Sequence, residues 1–578
     1  MRTSSLVLAA AACALVSASM DELRMGAQSV NAWQMSQIAK ARTLAPQGAA
    51  QQPLAVAESI NFSARWFRQP LDHFDASRKE TFLQRYWVST RHYKSGGPVI
   101  VLDGGETSGE NRLPFLDTGI VDILAKATHG VGVILEHRYY GRSLPVLNFT
   151  TDALRFLNNN QSAADSATFM AGVSFVEDGI SADLTAPATP WIYYGGSYAG
   201  ARAAHMRVLY PELTYGAIAS SAVTHAAIIF WEYFEVIRRA APQDCVARIE
   251  SSIAFVDRVL AVPLLRTPLK RLFGLADLEH DDDFASVLET AFGSWQGRNW
   301  DPSVSSTRFE NFCAALGGDG DDGDDDDDGD DALKQFRLEL SNVPGSILSS
   351  VMAKGPFDVP ASVINYAKFI RARVERSCPE GYSTEECFGT YDESKYQDVS
   401  VAATWRLWMY QVCTEWGYFM TTPPDPSQRR IISKHITLAY ASKICKMAYK
   451  PGRYFKLPEL PDVEGAVNSL GDFALKADRL AFVDGTSDPW MPATPHSWYA
   501  PNRTDTVLQP FKEIQEGVHH WDENGLANPE DEPPRIQKIH REEIEFVKAW
   551  LKDFDGDAAK ANAAAVKAQL AQRIVLTH

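Results

Sequence analysis

The sequence predicts an α/β protein, and three observations carry that expectation. Short apolar runs of strand character at residues 99–102, 131–135, 191–194 and 217–220 alternate with helical stretches, as a parallel sheet requires. The run 191–194 ends abruptly in Gly195-Gly196-Ser197-Tyr198-Ala199-Gly200 and continues into helical sequence, Ala201 to Arg207. After about residue 224 the pattern changes to long amphipathic helical stretches, such as 226–240 and 362–376, and strand character returns only near 478. At 578 residues the chain has room for a large core and a second substantial unit.

The turn at Ser197 has the form of a nucleophile elbow, in which a tight strand-to-helix turn exposes a serine hydroxyl at its apex. Strand and helix nearly touch there, so the positions two before and two after the serine must be small. Here they are Gly195 and Ala199, one methyl away from the common Gly-x-Ser-x-Gly. A serine nucleophile needs a base, and the base needs an orienting acid. In the α/β-hydrolase arrangement they follow in the chain order Ser, Asp, His, each on a loop after a strand. Residues 479–483 read as a buried strand running into Asp484-Gly485-Thr486-Ser487-Asp488-Pro489-Trp490. Thirty-one residues beyond Asp488, after the strand-like 506–508, comes Gly517-Val518-His519-His520. The expected architecture is therefore an α/β-hydrolase fold with a large helical cap insertion. Residues 57–224 and 446–556 would form the hydrolase domain and 225–445 the cap. The Ala-rich tail 557–578 reads as a surface helix or a frayed end.

The beginning of the chain reads as a secretory signal: Met1-Arg2, an apolar run from Leu6 to Val16, and Val16-Ser17-Ala18 as a small-residue cleavage site. That assigns 1–18 to a signal peptide and 19–56 to a propeptide or a loose amphipathic arm. No later segment is apolar for long enough to span a bilayer. Four sequons, at Asn61, Asn148, Asn160 and Asn502, fit N-glycosylation on surface loops. The net charge is −17, and ten of the acids are aspartates among three glycines between Asp319 and Asp331. Self-repulsion makes 318–331 an expected disordered loop within the cap. A calcium loop is a poor reading of that run: Asp324, Asp326, Asp328 and Gly329 fall at ligand spacing, but the twelfth position is Gln335 rather than a bidentate glutamate. An acidic surface disfavours nucleic acid and anionic membranes as partners. No metal or other cofactor is expected, since His519 and His520 are adjacent and cannot easily turn both rings to one tetrahedral ion.

Further segments extend the pattern: Phe67-Arg68-Gln69-Pro70-Leu71-Asp72-His73-Phe74, Gly104-Gly105-Glu106, Glu136-His137-Arg138-Tyr139-Tyr140-Gly141-Arg142-Ser143, Cys413-Thr414-Glu415 and Asp488-Pro489-Trp490. With the elbow and the histidine pair they run in order from about 62 to 550. In these segments the chain resembles the proline-directed serine peptidases that include lysosomal Pro-Xaa carboxypeptidase and dipeptidyl peptidase II, with secreted fungal relatives. The resemblance implies Ser197 as nucleophile, Asp488 as triad acid and His519 as base. His520 is the second candidate for the base, with a neighbour that braces the loop as its other reading, and Asp484 would be a helper. The oxyanion would rest on the backbone N–H of Tyr198 and on a second N–H from Gly105 or Glu106. The resemblance also implies peptide substrates cut after proline, with Trp490 as a pocket wall and Tyr418 as a lining residue. Glu106 and Glu415 are candidates for holding a substrate amino terminus, or for a buried network. Three features depart from the family pattern: Ala199, the segment Trp521-Asp522-Glu523-Asn524 after the histidines, and the aspartate run.

Without Cys13 of the signal peptide six cysteines remain, and an even number in a secreted chain suggests three disulfides. Of fifteen possible connectivities the one favoured pairs Cys245 with Cys313, Cys378 with Cys387 and Cys413 with Cys445. The competing functional classes are an esterase or lipase on the same fold, and a non-catalytic binding protein on a hydrolase scaffold. The sequence speaks against both: it has no HGGG-type oxyanion loop and lacks no triad member.

Overall fold

The computed structural model of the protein describes residues 62–318, 327–345, 359–378 and 381–576. The expected signal peptide, the arm 19–56, Asn61 and residues 319–326 of the aspartate run lie outside the described residues.

Eight strands form one sheet: β1 (Arg65–Pro70), β2 (Thr81–Ser89), β3 (Val99–Asp103), β4 (Val131–Leu135), β5 (Trp191–Gly196), β6 (Gly216–Ser220), β9 (Leu480–Gly485) and β10 (Phe511–Ile514). Two short strands, β7 (Ala227–Ile229) and β8 (Gly417–Phe419), pair separately. The sheet order is β1-β2-β4-β3-β5-β6-β9-β10; β1 and β2 are antiparallel to their neighbours and every pair from β4 onward is parallel. The exchange of β3 and β4 and the antiparallel β2 give the α/β-hydrolase fold. β3 to β6 and β9 are buried at every position. Helices cover both faces of such strands, which explains why the sequence runs Val-Ile-Val-Leu and Trp-Ile-Tyr-Tyr read as continuous apolar stretches without alternation. In the register, Val101 lies between Val133 and Tyr193, and Ala219 lies between Gly195 and Phe482.

Between β6 and β9 the chain leaves the sheet for a largely helical insertion. Its helices include Gln243–Leu260, Pro263–Leu272, Asp281–Glu289, Arg308–Gly317, Ala361–Ser377 and Leu438–Ala448. It returns to pair β9 directly beside β6, with Ala217 opposite Leu480. One apolar core joins Ile100, Ile134 and Ile192 of the sheet with Ile249, Phe292 and Phe312 of the insertion.

Several local expectations are corrected. The helix expected at 226–240 begins at Glu232; its first residues instead form β7, which pairs in parallel with β8. The strand expected at 506–508 lies at Phe511–Ile514. Thr506 and Gln509 close a turn, and Val507 and Leu508 stand 57 % and 43 % exposed, so that apolar run has no core face. Of the disordered loop expected at 318–331, residues 327–331 instead begin the helix Asp327–Ser341. The tail forms the helix Gly556–Leu576, with Val566 and Leu570 packed onto the core. Asn148 and Asn502 are exposed in irregular segments; Asn160 is exposed but stands in the helix Asn159–Gly172, not on a loop.

Three disulfides staple the insertion. Cys245 bonds Cys313, Cys378 bonds Cys387 and Cys413 bonds Cys445, with Cα separations of 5.4, 5.7 and 5.6 Å. The first closes 68 residues, so replacing both Cys245 and Cys313 by alanine is expected to cost up to about 4 kcal/mol, read as a lowered urea midpoint. An unchanged midpoint would mean that this link constrains nothing in the unfolded chain. A second expectation concerns the turn after β5, where a methyl on Gly195 would sit 2.0 Å from the Ala199 carbonyl oxygen. Gly195→Ala should lower stability by about 3 kcal/mol in a chemical or thermal melt. A variant as stable as the parent would show that strand and helix can separate there.

Candidate active site

Ser197 follows β5 with φ 62° and ψ −125°, a left-handed-side conformation that non-glycine residues adopt only under constraint. The constraint is visible on each side. Ser197 N–H donates to the Ser220 carbonyl at 2.9 Å, and its own carbonyl accepts the Ala201 N–H at 3.0 Å, starting the helix Tyr198–Leu209. A Cβ on Gly200 would lie 2.4 Å from the Ser220 carbonyl oxygen. Ala199 is tolerated because its methyl faces Gly105, where a Cβ would come within 3.3 Å of it. The departure from glycine at 199 is thus matched by an absent side chain across the gap.

Asp488 and His519 meet from the loops after β9 and β10. His519 Nδ1 lies 2.9 Å from Asp488 Oδ2 and 3.1 Å from Oδ1, and both side chains are buried. Asp488 also accepts the Trp490 N–H at 2.9 Å. Burial acts to raise the Asp488 carboxyl, but His519 beside it, the Ser221 hydroxyl and the Trp490 N–H hold it below the usual carboxylate range. Burial pushes the His519 imidazole below its ordinary range; the Asp488 charge opposes this and His520 adds to it. His519 Nε2 makes no hydrogen bond among the described residues.

His520 makes a different set of contacts. Its backbone turns left-handed (φ 34°), its N–H donates to Ser221 Oγ at 2.9 Å, and its Nδ1 pairs with Glu523 Oε2 at 2.8 Å. Its ring centre stands 4.3 Å from that of His519, and a Cβ on Gly196 would come within 3.1 Å of it. The segment after the histidines is anchored through Asp522, which accepts the Tyr194 and Ser220 hydroxyls, and through Trp521 Nε1, which donates to the Arg298 carbonyl. Asp484 pairs with His496 instead of His519, and burial raises its carboxyl to about 6.

The loop after β3 borders the elbow. Asp103 accepts Arg202 Nε at 2.7 Å, the Tyr193 hydroxyl at 2.6 Å and the Gly105 N–H at 3.0 Å. The Gly105 N–H is therefore committed to Asp103. Tyr198 is the first residue of its helix, and its N–H has no helical carbonyl behind it. A small pocket of about 10 Å³ lies at the serine, lined by Glu106, Ser197, Tyr198, Val223 and Gln296 with three aromatic rings, Trp408, Tyr418 and Trp490. Trp490 stacks on Phe230 and meets Tyr418 edge-on at 5.1 Å, while its Nε1 donates to Gln296 Oε1 at 2.8 Å. Tyr418 is held by its hydroxyl on the Val223 and His225 carbonyls.

Glu415, a candidate for substrate contact, is not in this lining. Its carboxylate accepts the Asn159 N–H at the start of a helix, and burial raises it to about 8. Trp408, Gln296 and Ser221 were missed by sequence reading. Ser221 directly follows β6 and could have been suspected from position alone; Trp408 and Gln296 belong to the insertion, where no motif marks them.

Residues 69–299 and 350–537 match the profile of the family described as serine carboxypeptidase S28. Over 517 residues the chain is 40% identical to a "probable extracellular serine carboxypeptidase" of Arthroderma benhamiae, covering 86% of this chain and 69% of that one. It is 27% identical over 522 residues to serine protease vicPa of Bipolaris victoriae, covering 86% and 90%. To the human thymus-specific serine protease it is 26% identical over 452 residues, covering 74% and 76%. The chain belongs to the serine carboxypeptidase S28 family of serine-type peptidases.

Proposed function

We propose that the protein is an extracellular peptidase that cleaves peptides after proline by acyl transfer, with Ser197 as nucleophile, His519 as base and Asp488 as orienting acid. One observation carries the reading: His519 is bound to Asp488 through Nδ1 and its Nε2 has no hydrogen bond among the described residues, while the next residue on its loop, His520, packs against Gly196 beside a serine held at a strained elbow. Nε2 takes the proton from Ser197 Oγ as the oxygen attacks the peptide carbonyl, then passes it to the leaving amine. Asp488 keeps the Nδ1–H tautomer and stabilises the imidazolium. The oxyanion sits at the Tyr198 N–H, where the helix N-terminus adds its positive end. The loop's share falls to the Glu106 N–H, since Asp103 holds that of Gly105.

Proline preference is supported by the pocket. A prolyl ring offers no N–H and a fixed φ, so shape and aromatic contact must recognise it. Trp490, Tyr418, Trp408 and Val223 provide apolar walls beside Ser197. The similarity to an extracellular fungal relative and the signal-like start support export; among the described residues no helix is long and apolar enough to cross a membrane.

The test is mass spectrometry of the products of Ala-Pro-Ala-Ala-Pro-Phe. The parent should release fragments ending in proline, and Ser197→Ala should lose activity by about 10⁴-fold or more. Cuts after other residues would sink the proline reading. Hydrolysis of an ester with the peptide left intact would favour an esterase, and an undiminished Ser197→Ala would remove the elbow from the chemistry. A pH profile gives a second check. Only the neutral imidazole accepts the proton, so kcat/KM falls as pH drops through the His519 pKa. Burial holds that value below the ordinary 6.5, so the acid limb should lie below pH 6.5 and activity should persist in mildly acidic medium. A limb at or above pH 7 would contradict the buried, neutral base.

A further inference from the structure

A cavity of about 400 Å³ opens beside the last two strands of the sheet, and none of its lining belongs to the pocket at Ser197. Small-ligand sites have volumes of about 300–1,000 Å³. Its apolar side is made by Leu480 and Phe482 of β9, Phe511 of β10, and Leu508. Asn502, Thr504 and Gln509 contribute to its polar side. Asn502-Arg503-Thr504 is one of the four sequons, so the cavity has an acceptor for N-linked sugar in its own wall.

The local structure displays that sequon. Arg503, its middle residue, turns inward: its guanidinium carbon stands 5.2 Å from the ring centre of Phe482 and 5.6 Å from that of Phe511, and Nη2 donates to the Phe473 carbonyl. Its Nε is buried, so the guanidinium anchors the segment rather than opening to an anion. Asn502 and Thr504, on either side of it, are exposed. Just beyond them two apolar side chains are held in water. The Val507 carbonyl accepts Trp550 Nε1 at 2.6 Å, the Leu508 carbonyl accepts the Arg479 N–H at 2.6 Å, and Thr506 Oγ1 accepts the Gln509 N–H at 3.0 Å. A backbone pinned at these points keeps Val507 and Leu508 at the surface, with Leu508 in the cavity wall. Carbon surface held in this way gains by being covered.

N-acetylglucosamine has the same division as the cavity, a face of C–H groups and an edge of hydroxyls with one amide. Lys476 and Asp478 offset each other in the lining, which favours a neutral ligand over an ion. We propose that the cavity is the seat of an N-linked glycan on Asn502, whose inner sugars lie against Leu508 and hydrogen-bond to the polar side. In the covalent step Asn502 Nδ2 bonds to C1 of the sugar and loses one proton, while C1 parts from the pyrophosphate of a lipid-linked oligosaccharide donor, which the secretory route supplies. Seated there, the glycan ties residues 502–509 to β9 and β10 and so braces the two strands whose following loops carry Asp488 and His519. This rests on the export reading above and not on the assignment of Ser197.

The test uses the full chain secreted from a eukaryotic host, with glycopeptide mass spectrometry at each sequon. Asn502 should be occupied. Peptide-N-glycosidase F acting on the native protein should release sugar from Asn148 about tenfold faster than from Asn502, and denaturation should abolish the difference. Asn502→Gln and Thr504→Ala remove the glycan through different residues, and both should lower the melting temperature by about 2 °C or more. Thr504→Ser keeps the sequon and should melt like the parent. Should the variants without glycan fail to be secreted, the native digestion of the parent decides. The proposal is overturned if Asn502 is bare while other sequons are occupied, if both sites release sugar equally fast from the native protein, or if Thr504→Ser melts as low as Thr504→Ala. Dimerisation that Leu508→Ser abolishes would give the apolar edge to a second copy and overturn it too. A secreted chain with no glycan at any sequon also overturns it, whereas a chain that is retained inside the cell overturns the export reading beneath it.

Discussion

The structure turns on the contact between the end of β5 and the helix that follows it. Backbone meets backbone there: the Ala199 carbonyl oxygen fills the place of a side chain at Gly195, and the Ser220 carbonyl of β6 fills that at Gly200. No flexible group lies between them to absorb a change. This contact forces Ser197 to a positive φ and lifts its side chain above the sheet edge. The strain is sustained by the parallel pairing of β5 with β3 and β6 on either side. The loops that bring Asp488 and His519 issue from the next two strands in the same parallel series, so one sheet aims all three residues at one edge.

The electrostatics around this edge are arranged in separate pairs. Asp488 belongs to His519, Asp484 to His496, His520 to Glu523, and Asp103 to Arg202. Each of these acids has a partner of its own, and Asp488 is the one that hydrogen-bonds the His519 ring. Asp484 near the end of β9 and Asp488 on the loop after it are four residues apart, and separate imidazoles keep them from competing for the same ring.

Much of this was legible in the sequence, for identifiable reasons. The central strands could be read because burial on both faces makes them apolar throughout, and the loops that carry Ser197, Asp488 and His519 because small residues and strand ends mark them. What could not be read depends on contacts distant in sequence. Residues 227–229 look helical until Gly417–Phe419 is laid beside them. Val507 and Leu508 look like a strand but stand outside the sheet, four residues before the segment that pairs with β9. Glu415 sits in the same Cys-Thr-Glu segment that resembles the family, yet its carboxylate is used by Asn159, 256 residues away. The pocket walls Trp408 and Gln296 come from the insertion, whose helices carry amphipathic pattern but no spacing that reveals which face meets the serine.

The insertion leaves the sheet after Ser220 and returns at Leu480, into the place beside β6. Synthesis from the amino end therefore completes the serine turn and the whole cap before β9 exists, and the base arrives later still, at residue 519. Under the proposed mechanism, a chain interrupted anywhere short of that point holds a hydroxyl with nothing to take its proton. Chain order would then withhold proteolytic power from the nascent molecule until the walls around the site have been made, a form of self-protection written into topology.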